Sequence, residues 1–477
     1  MSRAGIGPVQ VDTMMIAKIG RIILASAFMA APAAALDLEG LPQVKDIVRN
    51  ARSAADEAPV PAATTDARSV KDWTIMVFMN GKNNLSKYVI EDMNEMEKYG
   101  APENVNIVTE AGRTAYTQPS YPSYPGGYDD YPGVVPHPGW PNPYWGGGLP
   151  PMLSREEASA KDASTDWTGV RRYLVQKDGD NATLSSRMLQ DLGSVDMGDW
   201  NQLAEYGKWV KQNYPARHYM LIVWNHGSGW EMRGPRATVR GISYDDQTGH
   251  GINPVDLARA LRAMGGVDIY ASDACLMQMV EVVYEMRDAA TIVVGSEETE
   301  PGAGWGYDQF LSRVESNKGD LTAEVMAAAA VQGYKATYYS SSQATTQSAV
   351  RTSGMTELRR QLDQWVELAM NEDKASVVAA RDAALSFEGA ASRDLTDFLQ
   401  LVHGKTRSKA LKTKTVQVLN QFYDRVLLDN GTTGDKFKKA YGMGVYLPGW
   451  SFDDSYGKLA WSVDGKWDDF MRWLTAK

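Results

Sequence analysis

One pattern constrains this chain above all others. A short apolar run bounded by turn residues, followed by a segment of helical period, recurs along it. The first instance is "DWTIMVFMNG", apolar from Trp73 to Met79. A run without strict alternation fits a strand buried on both faces. "NNLSKYVIEDMNEMEKYG" follows, with Leu85, Val89, Met93 and Met96 at helical spacing. "VNIVTEAG" reads as the next strand. The rhythm resumes at "VRRYLVQ", then runs through the helix "DWNQLAEYGKWVKQNYP", the strand "HYMLIVWNHG", the helix "PVDLARALRAMG", the strand "VDIYASDAC", the helix "MVEVVYEMRDA" and the strand "TIVVGSEE". Strands alternating with helices predict an α/β fold with a mostly parallel central sheet and helices on its faces.

The rest of the chain divides by composition. Lys18 and Arg21 precede the apolar run Ile22 to Met29, and Ala33 and Ala35 fit an A-x-A cleavage site. Residues 1–35 are expected to be an export signal. The run is short for a membrane span, so a periplasmic or secreted protein is expected, with no stable span after signal removal. Residues 36–70, rich in Ala, Asp and Pro, read as a leader or linker. Residues 71–320 carry the α/β rhythm. Within them, residues 116–152 ("YTQPSYPSYPGGYDDYPGVVPHPGWPNPYWGGGLPPM") break it. So much Pro and Gly excludes a helix or a central strand. This insertion is either a plain surface excursion or an aromatic platform for sugars or peptides. Residues 321–477 read as largely helical, with "GVYLP" as a late strand.

Several classes of function are excluded. The net charge of -10 argues against a general nucleic-acid binder, which would normally show a basic face. No zinc constellation is evident, since there is no HExxH and only one cysteine. "GSG" and "GAGWG" lack a P-loop lysine. An exported chain with one thiol has no internal disulfide, so that thiol is tolerated, buried or used.

The chemistry gathers at two strand ends, as it does in open parallel sheets. "YMLIVWNHGSGW" ends in His226, and "VDIYASDAC" ends in Cys275. A thiolate is a strong nucleophile, and an imidazole can take its proton and return it to a leaving amine. The helix expected from Met279 to Met286 would favour the thiolate through its amino end. Gly227 leaves its amide open, and the amides of Gly227 and Cys275 could hold an oxyanion. The interval between His226 and Cys275 leaves room for one crossover helix, which would bring both ends to one sheet edge. Against this stand a small buried cysteine and a structural histidine.

These residues resemble the clostripain family of cysteine peptidases. "IVWNHGSGW" is similar to its histidine motif and "SDACLM" to its nucleophile motif. "RGISYDD", "SEETEPGAGWGY", "WTIMVFMNGKNNL", "SRDLTDFL" and "GVYLP" are similar to other parts of the family pattern. The resemblance covers about residues 72–450. It implies a caspase-like α/β/α sandwich, Cys275 as nucleophile and His226 as general acid/base. It implies that Asp273 lies in the pocket for the residue before the scissile bond, where an acid selects Arg or Lys. Asp273 could instead cap the following helix. The resemblance also implies self-cleavage between the two motifs, where Arg233, Arg236 and Arg240 stand. Arg240 adjoins "GISYDD" and is the preferred site. Some relatives depend on calcium, for which Asp245 and Asp246 are candidate ligands. Ala303 stands where some relatives carry an acid.

The expected protein is thus an exported endopeptidase acting on peptides and proteins after Arg or Lys, with no cofactor required for the chemistry. One alternative is an exported glycan- or peptide-binding protein that uses the aromatic insertion. Another is a cysteine hydrolase of different specificity, such as an amidase on cell-wall peptides.

Overall fold

The structure is a computed structural model that describes residues 70–115, 166–180, 183–231, 241–372, 374–388 and 391–476. The expected signal segment, nearly all of the leader, the aromatic insertion and Arg233, Arg236 and Arg240 lie outside these residues. The described residues belong to one compact unit.

Thirteen strands are described: β1 (Lys71–Gly81), β2 (Val105–Arg113), β3 (Gly169–Leu174), β4 (Arg187–Gly193), β5 (Ala216–Trp224), β6 (Ile242–Asp245), β7 (His250–Ile252), β8 (Val267–Asp273), β9 (Ala290–Gly295), β10 (Thr346–Arg351), β11 (Ser392–Asp394), β12 (Leu427–Thr432) and β13 (Gly444–Tyr446). Nine form one sheet in the order β12-β10-β9-β8-β5-β1-β2-β3-β4. Its centre, β2-β1-β5-β8-β9, is parallel. The outer strands on both sides run antiparallel.

The apolar runs are two-sided, as expected. In β1, Trp73, Ile75, Val77 and Met79 join one core, while Met76 and Phe78 join the other. In β5, Met220, Ile222 and Trp224 share the first face, and Leu221 and Val223 the second. Helices cover both faces: Tyr88–Tyr99, Tyr307–Ser316 and Ala323–Tyr338 on the first, Trp200–Asn213, Pro254–Ala263 and Met355–Ala369 on the second. This is the α/β/α sandwich. No helix among the described residues is long and apolar enough to cross a membrane.

The region after residue 320 carries several helices and also supplies β10 and β12 to the main sheet. These two strands read poorly in sequence because they hold Thr346, Gln347 and Ser348, and Asp429 and Asn430, where an apolar run would announce a strand.

Candidate active site

Strand β5 pairs with β8 in parallel register as far as Trp224 opposite Asp273. His226 and Cys275 each lie two residues beyond that last pair. The sheet therefore delivers both to one edge at the same height. Gly227 then lies against the nucleophile loop. A Cβ built on it would stand 2.3 Å from the Cys275 carbonyl oxygen and 3.2 Å from the Cys275 nitrogen. Only glycine permits this approach.

The imidazole is held by a residue that sequence reasoning passed over. His226 Nε2 lies 2.6 Å from Asn84 Oδ1. A carbonyl oxygen only accepts, so Nε2 carries the proton and Nδ1 the lone pair. Asn84 sits in the turn after β1. That turn is pinned by the Asn83 side chain, which donates to the Tyr244 carbonyl (2.8 Å) and accepts from the Leu85 amide (2.9 Å). The signal was present in "NGKNNL", where consecutive asparagines at a strand end favour side-chain-to-backbone turns. On the far side of the histidine loop, Asn225 accepts from the Tyr244 amide (2.7 Å) and the Ser228 hydroxyl meets the Tyr244 hydroxyl (2.8 Å). "GISYDD" thereby braces "NHGSG".

Cys275 keeps part of its surface open. It does not sit at a helix end. Leu276 follows with φ 64°, a conformation that costs an L-residue energy and recurs at functional turns. The helix Val280–Met286 begins only after Met279. The donor on sulfur is instead the Glu300 amide, at 3.3 Å from Sγ. The loop after β9 is stitched to the nucleophile loop by Leu276 N–H donating to the Glu298 carbonyl (3.2 Å) and Gln278 N–H to the Ser296 carbonyl (3.0 Å). Burial pushes the Cys275 thiol up to about 12, with the Glu300 and Glu298 carboxylates adding to the rise and the Glu300 amide opposing it. Burial pushes the His226 imidazole down to about 4. At neutral pH the resting pair is thiol and neutral imidazole. A neutral imidazole can act as a general base.

Asp273 does not cap the next helix. Strand alternation puts it on the face of Ile269 and Ala271, where its Oδ1 accepts from the Trp305 amide (3.2 Å) and its Oδ2 from the Tyr307 hydroxyl (2.9 Å). Gly304, at φ 60°, closes on it so tightly that a Cβ would stand 2.8 Å from Oδ1. Burial raises the Asp273 carboxyl, and the neighbouring Glu300 is raised further by burial and by the Asp273 charge.

Asp245 is engaged otherwise than a calcium ligand would be. Its Oδ2 meets buried Lys82 Nζ at 2.7 Å and the Met197 amide at 3.0 Å, and its Oδ1 accepts from the Gln247 amide at 3.0 Å. Burial, then the Asp245 charge, raises the Asp246 carboxyl. Among the described residues no group of three or more acidic, His or Cys side chains is arranged to hold a metal.

The C-terminal region also reaches the site. Phe387, Phe437 and Ala440 pack on Leu276 beside Cys275. The Glu298 carboxylate accepts from the Glu388 amide (3.0 Å) and pairs with Lys436 (3.5 Å).

Known proteins match this architecture. The clostripain family profile covers residues 77–472. Clostripain from Hathewaya histolytica is 24% identical over 271 residues, which are 52% of this chain and 44% of that protein. The matched segment thus spans less than half of that relative's length. A secreted C11 cysteine protease from Bacteroides thetaiotaomicron, solved with an irreversible peptide inhibitor, superposes with a TM-score of 0.57 at 16% identity, over 83% of this chain and 99% of that one. An inactive zymogen C11 protease from Parabacteroides distasonis gives 0.55 at 17% identity, over 83% and 98%. These two likenesses speak for the fold. With a family profile that extends across most of its length, and with the strand-end histidine and cysteine at one sheet edge, the chain belongs to the clostripain family of cysteine peptidases.

Proposed function

We propose that the protein is an exported endopeptidase that cleaves after Arg or Lys, with Cys275 as nucleophile and His226 as general acid/base. The observation that carries this reading is the shared register. Cys275 and His226 both stand two residues past the Trp224–Asp273 pair, with Gly227 in contact with the nucleophile's backbone.

In the first step the Sγ–H proton passes to the imidazole as sulfur attacks the scissile carbonyl carbon. The Gly227 and Cys275 amides face the developing oxyanion. The imidazolium gives its proton to the leaving amine, and an acyl-thioester remains. Water, deprotonated by the same imidazole, hydrolyses it and frees the thiol. Asn84 holds the ring. No cofactor is needed for these steps. Asp273 lies in the pocket for the basic side chain. Self-cleavage at Arg240–Gly241 is supported by the pinning of Gly241 next to the histidine loop. Its amide donates to the Tyr244 hydroxyl at 2.9 Å, and its carbonyl accepts from the Ser228 amide at 2.8 Å.

The test uses protein lacking residues 1–35 and matched fluorogenic peptides ending in Arg, Lys, Ala or Asp, beside Cys275→Ala. Release after Arg and Lys by the parent only, with a chain break after Arg240 that the variant lacks, is the expected result. Equal release after Ala, or turnover that survives in Cys275→Ala, would overturn the assignment.

A further inference from the structure

The proposed pocket contains a second carboxyl. Glu300 donates its backbone amide to Cys275 Sγ, while its side chain turns inward against Asp273. One residue thus spans from the nucleophile to the pocket, the distance a substrate side chain must cover from its scissile carbonyl.

The two carboxyls differ in what already holds them. Asp273 accepts from the Trp305 amide with both oxygens and from the Tyr307 hydroxyl. Those bonds orient it and occupy much of its acceptor capacity. Both carboxyl oxygens of Glu300 are buried, and among the described residues no N–H or O–H group donates a hydrogen bond to either. The Trp305 indole N–H lies near enough to favour the charged form of Glu300 but short of hydrogen-bond geometry. The contact between Glu300 and Asp273 is attractive only when one of them carries a proton. Among the described residues, the other titratable groups facing the pair are Asp92 and Glu95 on the helix Tyr88–Tyr99, together with Cys275, Tyr307, Tyr334 and Tyr338. None is a cation.

A buried carboxylate with open acceptor sites calls for a donor that arrives from outside. We propose that Glu300 is a further specificity-determining residue of the basic pocket, its open carboxyl oxygens receiving the ammonium or guanidinium of an entering side chain while the proton shared by the Asp273–Glu300 pair leaves to solvent. Asp273 is then the oriented floor, and Glu300 the wall that makes the new hydrogen bonds. This inference rests on the Arg/Lys reading above.

The experiment compares peptides ending in Arg with peptides ending in citrulline, which has the same shape and no charge. Charge-assisted hydrogen bonds are worth about 10- to 100-fold each. Glu300→Gln is expected to lower the Arg-over-citrulline ratio of kcat/KM by that factor, mostly through the Arg peptide. Glu300→Asp is expected to restore part of the ratio, which separates charge from misfolding. A second readout needs no turnover. Calorimetry of an Arg-terminated peptide binding to Cys275→Ala, in two buffers of different ionisation enthalpy, should report about one proton released, against none for Cys275→Ala/Glu300→Gln. A Glu300→Gln protein that keeps the parent's Arg-over-citrulline ratio overturns this inference alone. A parent that does not prefer Arg to citrulline overturns the Arg/Lys reading and this inference with it.

Discussion

Replacing Gly227 by alanine tests whether the contact between the two strand-end loops sets the catalytic geometry. The added Cβ would stand 2.3 Å from the Cys275 carbonyl oxygen, 3.1 Å from the Ala274 Cβ and 3.2 Å from the Cys275 nitrogen. Ordinary carbon–oxygen approach is about 3.3 Å, so the loops must part by about 1 Å. Neither side yields cheaply, because the obstacle is backbone already fixed by the Glu298 and Ser296 carbonyls. A displacement of that size between reacting groups costs on the order of 100-fold in rate, or about 2.7 kcal/mol of activation free energy. The assay is kcat/KM on an Arg-terminated fluorogenic peptide, with thermal unfolding as a check on the fold. Gly457→Ala is the control, since no atom lies within 4 Å of a Cβ there, and it should leave the rate unchanged. If Gly227→Ala retains kcat/KM within threefold of the parent, the loops do not position one another and the register argument fails.

Asn84→Ala should lower kcat about tenfold with little change in KM, the worth of one orienting hydrogen bond of about 1–1.5 kcal/mol; steady-state kinetics decide it, and an unchanged kcat would show that the ring is held by other means. Lys82→Met should destabilise the fold by about 3 kcal/mol, because it leaves the buried Asp245 carboxylate without its ammonium while backbone amides still bind it. The midpoint of urea unfolding measures this, and a shift worth less than 1 kcal/mol would mean the pair contributes no more than a surface one.

The parts of the site that were legible in sequence are those fixed by strand periodicity. Apolar runs on β5 and β8 end at His226 and Cys275, and parallel pairing of neighbours follows from a single crossover helix. The illegible parts depend on contacts between distant segments. Asn84 lies 142 positions from His226 in the chain, and nothing local distinguishes it from a turn asparagine. Glu298 and Glu300 stand in a loop whose function comes from where β9 ends relative to β8. The polar strands β10 and β12 were hidden because tertiary pairing outweighed weak strand propensity. The helix-end argument for the thiolate failed for a geometric reason. Leu276 turns into the left-handed region, and the chain runs on to Met279 before it coils.

That failure bears on how the nucleophile is activated. Cysteine peptidases with a thiol at a long helix's amino end can rest as a thiolate–imidazolium ion pair. Here the helix after Cys275 is seven residues long and begins beyond an intervening turn, and the sulfur lies close to acidic side chains. The imidazole, pushed down to about 4, is neutral above that pH, and the thiol, pushed up to about 12, is protonated below that one. Between these limits both groups rest uncharged, and the proton moves only as sulfur attacks. Iodoacetamide reads this state directly, since only thiolate reacts quickly. In the free protein the alkylation rate should climb about tenfold per pH unit from pH 6 to pH 9, because the thiolate fraction stays small throughout, and His226→Ala should leave that slope in place. An ion pair would instead give a plateau from mildly acidic pH that His226→Ala abolishes. Observing that plateau would mean that the sulfur is charged before substrate arrives.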